Sequence, residues 1–499
     1  MTTTDPNAYA RAARDPAELR SALRTAQTGP MLMVHAQLTG ETDLLARSAP
    51  HITGAWPHMQ LLPEALQHEL VERLAGAIEA MAARGADARP ALSGRALQGV
   101  MSAGVGAQVP HDYLDLMIEE TGIGEDDPRM LCWSRPPPAA ALRDFPVLVI
   151  GAGFSGIVAG IRLKQAGVPF VIVEKNPTTA GTWYENTYPG CGVDTVSHFY
   201  SFSFRPNHDW THYFAKREEI YAYIEAVVDE HGLREHIRFG EEVERLRWNE
   251  GRALWEVDAK PVAGGAGVRL EARAVISAVG LLNRPSTPEI PGLDAFGGPV
   301  LHTAAWDGGV DLANRRVAVV GTGASGMQVG PALAPVVEHL TVFQRSAHWV
   351  NHNPLYHAEV SPGQRWALQH IPHFSQWQRF LFFWGSSDGL HASLKMDPDW
   401  PHPEQSLNAA NQQIRQTLID YLQRQLAGRD DLIAKCLPDY PPYGKRMLRD
   451  NHWFEMLKRP NVTLETTGIA HVNEHAVVLE DGRSVEVDAF SAALDQGID

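Results

Sequence analysis

Two stretches of this 499-residue chain carry residue types whose spacing suits the handling of phosphates. "VLVIGAGFSG" puts Gly151, Gly153 and Gly156 behind an apolar, β-branched run, and "VAVVGTGASG" repeats the pattern with Gly321, Gly323 and Gly326. In such a turn the first glycine permits the tight bend and the second lets the backbone approach a pyrophosphate. The third lets helix and strand pack closely, with the phosphates at the helix N-terminus. One glycine-rich turn is weak evidence. Two, each between a strand pattern and a helix pattern, predict two dinucleotide sites.

The residues that end the next strand separate the two sites. Glu174, in "VIVEKN", lies eighteen residues beyond Gly156, and the same offset beyond Gly326 gives Gln344 followed by Arg345, in "TVFQRS". A carboxylate accepts hydrogen bonds from an adenosine ribose, whereas a guanidinium holds a 2′-phosphate that a carboxylate would repel. The first site therefore suits FAD and the second suits NADPH over NADH.

The elements that must position these residues read as an α/β protein with two Rossmann-like dinucleotide-binding domains, preceded by a mostly helical domain. Residues 1–140 are expected to be helical, with Leu66, Leu70, Leu74, Ile78 and Met81 at helical spacing and Gly85 as a stop signal. The proline-rich "WSRPPPAAALRD" reads as a semi-rigid linker. Residues 141–290 form the expected FAD domain, and 291–488 the NADPH domain, with a helical insertion over about 361–437 and a late hairpin turning at Asp481-Gly482. Residues 489–499 read as an atypical tail.

A formal charge of -16 argues against nucleic acid or an anionic membrane as the main partner. Cys132, Cys191 and Cys436 form neither a disulfide framework nor a metal-ligand spacing, and no secretory h-region opens the chain, so a cytoplasmic setting is expected. The aromatic run "FLFFWG" is far shorter than the roughly 20 residues of a membrane span. No metal motif or redox C-x-x-C is present.

Phe296, Gly298, His302 and Trp306, in "FGGPVLHTAAW", sit between the glycine motifs and resemble the fingerprint of the Baeyer–Villiger monooxygenases. "GTWYENTYPGCGVDTVSHFYSFSF" resembles that family's flavin-facing segment, and the likeness runs from about residue 1 to 488. Glu185 and Thr187 stand where many members carry Trp and Arg, which is closer to the 4-hydroxyacetophenone monooxygenase branch, as is an extra N-terminal region. The resemblance implies FAD and NADPH as cofactors, a small-molecule ketone and O2 as substrates, and insertion of one oxygen atom beside the carbonyl through a C4a-peroxyflavin. It also implies that Arg446, in "PPYGKRMLRDN", is the catalytic arginine and that Asp194, in "CGVD", pairs with it. An arginine suits that task because its charge cannot be lost in a desolvated pocket. Lys445 would join Arg345 at the 2′-phosphate, and Trp183, Tyr184 and Tyr188 would lie near the flavin ring. The helix with Trp377, Phe380, Phe383 and Trp384 would border the substrate. His302 and Trp306 admit two roles, coupling of domain position to cofactor occupancy or structural anchoring, and neither is the base.

After "VEVDAF" the family pattern gives way to "SAALDQGID". The expectation is therefore a FAD domain lacking its C-terminal return segment, with a flavin site open to water, where oxygen transfer fails to hydrogen peroxide. Two alternatives stay open. One is a flavin monooxygenase acting on nitrogen or sulfur, against which Trp306 counts. The other is a remnant that is inactive or acts only as an NADPH oxidase. The N-terminal helices offer a surface for a homodimer.

Overall fold

The computed structural model describes residues 7–85, 92, 94–123, 131–282 and 284–493. They form two compact units, one within Met1–Met130, Thr195–Ala215 and Pro354–Gln413, the other within Leu131–Asp194, Lys216–Asn353 and Ile414–Asp499.

The first unit is helical. Helix Glu64–Arg84 buries Leu66, Leu70, Leu74, Ile78 and Met81, together with Val71 and Ala75, and ends at Gly85 with φ 73°. It packs on helix Thr28–Thr39, which is buried without interruption from Gly29 to Leu38. A helix buried all round needs partners on every side, and the aromatic helix Phe374–Ser386 supplies another of them. Trp377 and Phe380 are fully buried there, and the Trp377 indole N–H donates to Gln37 Oε1 at 2.7 Å. The aromatic helix expected to border substrate thus fills the core of this unit, with Phe383 only partly buried. The unit's segments end at Met130, Ala215 and Gln413. Residues 354–413 group with the N-terminal helices because their aromatic faces find the apolar area that those helices expose.

The second unit carries both dinucleotide sheets. In the first sheet the strands run parallel in the order Ile237–Phe239, Phe170–Glu174, Val147–Ile150, Ala274–Ser277. Helix Phe154–Ala166 follows its glycine turn. A three-stranded antiparallel sheet, Glu241–Asn249, Leu254–Pro261 and Val268–Ala272, shares its core through Leu148, Val173, Val257 and Ala272. The second sheet runs Val462–Glu465, His339–Phe343, Arg316–Val320, Ala489–Ala492, Val300–His302, again all parallel. The late hairpin forms as expected, with Gly482 at φ 88°.

Residues 489–492, where the atypical tail begins, form an interior strand. Phe490 lies between Ala318 and Val300, and all four residues are buried. The small-large-small sequence Ala489-Phe490-Ser491 fits between two close neighbours. The preceding Asp488 fixes the register: its carboxylate accepts the Arg316 backbone N–H at 2.8 Å and the Arg316 guanidinium at 2.7 and 3.1 Å. Residues 494–499 of that expected tail lie outside the described residues.

Two stability measurements follow. Phe490→Ala should cost about 3–5 kcal/mol in denaturant unfolding, and a loss below about 1 kcal/mol would show that the strand is peripheral. Hydrogen bonds from Arg316 hold the Asp488 carboxyl down to about 2, against about 3.9 in an unfolded chain. Its contribution is therefore present above about pH 4 and lost as the pH falls towards 2. Wild type should lead Asp488→Asn in unfolding midpoint at pH 6, with the gap closing between pH 4 and 2. A gap that does not change with pH would contradict this.

Candidate dinucleotide and catalytic site

At the first turn the backbone is packed so closely that side chains are excluded. A Cβ on Gly156 would lie 1.8 Å from the Gly151 carbonyl oxygen, and one on Gly181 would lie 3.2 Å from Gly153 Cα. Gly153 caps helix Phe154–Ala166 without a side-chain hydrogen bond, so the first-turn amides are left for an anion. Glu174 ends its strand at 3% exposure. Its Oε2 accepts from Ala152 N at 2.6 Å and its Oε1 from Asn176 N at 2.8 Å. Burial raises this carboxyl's pKa, against the pull of the two amides. The residue expected at a ribose therefore also braces the glycine turn. Each carboxylate oxygen keeps a further lone pair for a ribose hydroxyl. A cradle that a Cβ would fill, with an acid at its rim, fits an adenine dinucleotide.

The second turn has the same build. A Cβ on Gly326 would lie 2.4 Å from the Gly321 carbonyl oxygen, and Gly323 caps helix Ala324–Leu333 with no side-chain hydrogen bond. Gln344 is turned away, its amide donating to the Lys435 carbonyl at 2.7 Å. The exposed Arg345 follows it. Lys445 Nζ donates to Ser346 Oγ at 2.7 Å and lies 4.9 Å from the Tyr440 ring centroid. Lys445 is thus held at Ser346, the hydroxyl next in sequence to Arg345, a residue that the sequence reading passed over. Its signal was its place directly after Arg345. Nearby His348 has its pKa lowered by burial and by the charge of Lys445.

Asp194 and Arg446 meet directly, with Oδ2 2.5 Å from the guanidinium. The arginine side chain stays 62% exposed and the aspartate 21%. Trp183 is buried in the short helix Thr182–Glu185. Tyr188 is also buried, and its hydroxyl donates to Gln328 Oε1 at 2.7 Å. Glu185 pairs with Lys175 at 2.9 Å. Thr187 Oγ1 donates to the Trp306 carbonyl at 3.4 Å, which joins the chain around Thr187 to the fingerprint.

The fingerprint residues take up a closely fitted edge. A Cβ on Gly298 would lie 2.2 Å from the Asp488 carbonyl oxygen. Phe296 packs against the cluster of Leu293, Val472 and Phe490. His302 ends the edge strand opposite Ala492, and its Nδ1 accepts from Ala304 N at 3.0 Å. Burial lowers its pKa, so the ring is held neutral.

Among the described residues no group of His, Cys, Asp and Glu could hold a metal, and no helix is long and apolar enough to cross a membrane. The sequence profile of the pyridine nucleotide-disulphide oxidoreductases matches residues 148–376. The uncharacterized monooxygenase y4iD of Sinorhizobium fredii is 35% identical over 477 residues, covering 95% of this chain and 71% of that one. A Baeyer–Villiger monooxygenase of Streptomyces coelicolor is 39% identical over 346 residues, covering 69% of this chain and 63% of its own length, which is less than two thirds. The solved structure of cyclohexanone monooxygenase bound to epsilon-caprolactone superposes with a TM-score of 0.60 at 32% identity, over 71% of this chain and 73% of that one. The same enzyme from Rhodococcus sp. Phi1, bound to NADP+, gives 0.59 at 34% identity, over 70% of each chain. Paired glycine cradles, an acid at one and a basic cluster at the other, and a fingerprint strand seated against the second sheet agree with these likenesses, and the chain belongs to the Baeyer–Villiger monooxygenase family of flavin-dependent enzymes.

Proposed function

We propose that the chain binds FAD at Gly151–Gly156 and NADPH at Gly321–Gly326 and uses them to insert an oxygen atom of O2 beside the carbonyl of a small ketone. Within the family, the 4-hydroxyacetophenone branch is the reading favoured by Glu185 and Thr187. The observation that carries the proposal is the Asp194–Arg446 pair, which fixes one edge of a guanidinium and leaves the rest exposed.

A bound flavin would supply the reduction of O2 and the delivery of one oxygen atom. The chain's own residues do the rest. The two glycine turns hold the pyrophosphates, and Arg345, Ser346 and Lys445 grip the 2′-phosphate. Arg446 supplies a permanent positive charge where negative charge develops on oxygen. Asp194 restricts the rotamers of that arginine, which would otherwise sample many orientations at an entropic cost of about 2 kcal/mol. Buried Trp183 keeps water from one side of the site.

The direct test supplies FAD, NADPH, 18O2 and 4-hydroxyacetophenone. The expected product is the aryl acetate ester with one labelled oxygen. Hydrogen peroxide equal to the NADPH consumed, with no ester, would overturn the proposal. Arg446→Ala should cut ester formation by on the order of a hundredfold or more, with partial recovery in Arg446→Lys. Arg345→Ala should raise the KM for NADPH by about 10–100-fold, the loss of a charge-assisted contact, and leave the KM for NADH unchanged. An equal effect on both coenzymes would remove Arg345 from the 2′-phosphate.

A further inference from the structure

Gln328 stands on the helix that opens at Gly323, two residues beyond the third glycine of the second motif, and is 5% exposed. Its amide is committed on both sides to one segment of chain. Oε1 accepts the Tyr188 hydroxyl at 2.7 Å, and Nε2 donates to the Gly192 carbonyl at 2.9 Å. The backbones touch as well. A Cβ on Gly190, which has φ 84°, would lie 2.7 Å from the Gln328 carbonyl oxygen. Two residues beyond Gly192, Asp194 holds Arg446, and Arg449 Nε reaches the Asp194 carbonyl at 3.5 Å. At its other end the segment begins at Gly181, against Gly153 of the first turn.

One buried side chain therefore ties the phosphate-binding end of the second site to the segment that runs from the first site to the catalytic pair. A carboxamide is the side chain that meets both demands, since it accepts from a phenol and donates to a carbonyl at once. We propose that Gln328 is a positioning residue that links occupancy of the second dinucleotide site to the placement of Asp194, and through it of Arg446. This rests on the two-dinucleotide reading above. A pyrophosphate that orders the first turn of helix Ala324–Leu333 orders the base of the Gln328 side chain with it. The two hydrogen bonds then pass that order to residues 188–194.

The test compares the full chain loaded with FAD with its Gln328→Glu variant, which still accepts from Tyr188 but offers no donor to the Gly192 carbonyl. Amide hydrogen exchange is followed with and without NADP+. In wild type, NADP+ should slow exchange both in residues 316–333 and in residues 183–194, by about tenfold or more in the latter. In Gln328→Glu the protection of 316–333 should persist, while that of 183–194 is lost, and ester formed per NADPH should fall at an unchanged KM for NADPH. Protection of 183–194 that survives the substitution would overturn the proposal, as would its absence in wild type when 316–333 responds. No response to NADP+ anywhere in wild type would instead count against the dinucleotide reading. Should Gln328→Glu fail to fold, Tyr188→Phe removes one of the two bonds and should weaken the protection of 183–194, and an undiminished effect would again overturn it.

Discussion

The second dinucleotide sheet depends on one residue that faces two ways. The Asp488 carboxylate takes the backbone and guanidinium of Arg316 and so sets the register between Ala489–Ala492 and the strand that leads into the Gly321 turn. Its backbone carbonyl, meanwhile, lies where Gly298 passes, with no room for a Cβ. The fingerprint strand Val300–His302 is laid against Ala489–Ala492 directly after this contact. Gly298 in the fingerprint thus answers to packing. The motif reports a fitted sheet edge as much as it reports chemistry.

Adjacent residues Lys445 and Arg446 serve different partners, and the chain around them explains how. Lys445 reaches Ser346 beside Arg345, while Arg446 reaches Asp194. Just beyond them, Leu448–Arg449 pairs with Val350–Asn351, and Asp450 accepts both the Tyr421 hydroxyl and the Trp453 backbone N–H. The basic dipeptide is thereby pinned immediately downstream, and its two side chains diverge to a phosphate-type cluster and a carboxylate. In a chain with a net charge of -16, this concentrates positive charge at the site where anionic groups are expected.

The glycine turns and Glu174 were legible because each rests on local spacing. Their second duties were not. That Glu174 braces the turn through Ala152 and Asn176 depends on where those amides point, and no residue type announces it. Gln328 went unread for the same reason, since a glutamine on a helix is ordinarily a solvated residue. What the aromatic helix Phe374–Ser386 packs on was not legible, because periodicity shows that a face must be covered without showing what covers it. Ala489–Ala492 forms a strand although its sequence departs from the family pattern. Four small or apolar residues suffice for an interior strand once Asp488 sets their register.

The position of Ala489–Ala492 also bears on how the chain is made. It lies between two strands synthesised much earlier, Val300–His302 and Arg316–Val320. Until residue 492 has left the ribosome, those two have no common neighbour, and the fingerprint strand has no partner in the sheet. Contacts across so long a separation form slowly, and an open strand edge invites pairing with the wrong partner. The helical unit, which draws its last segment from residues before 414, can close first. Vectorial synthesis therefore leaves the second dinucleotide sheet to complete its pairing after the helical unit.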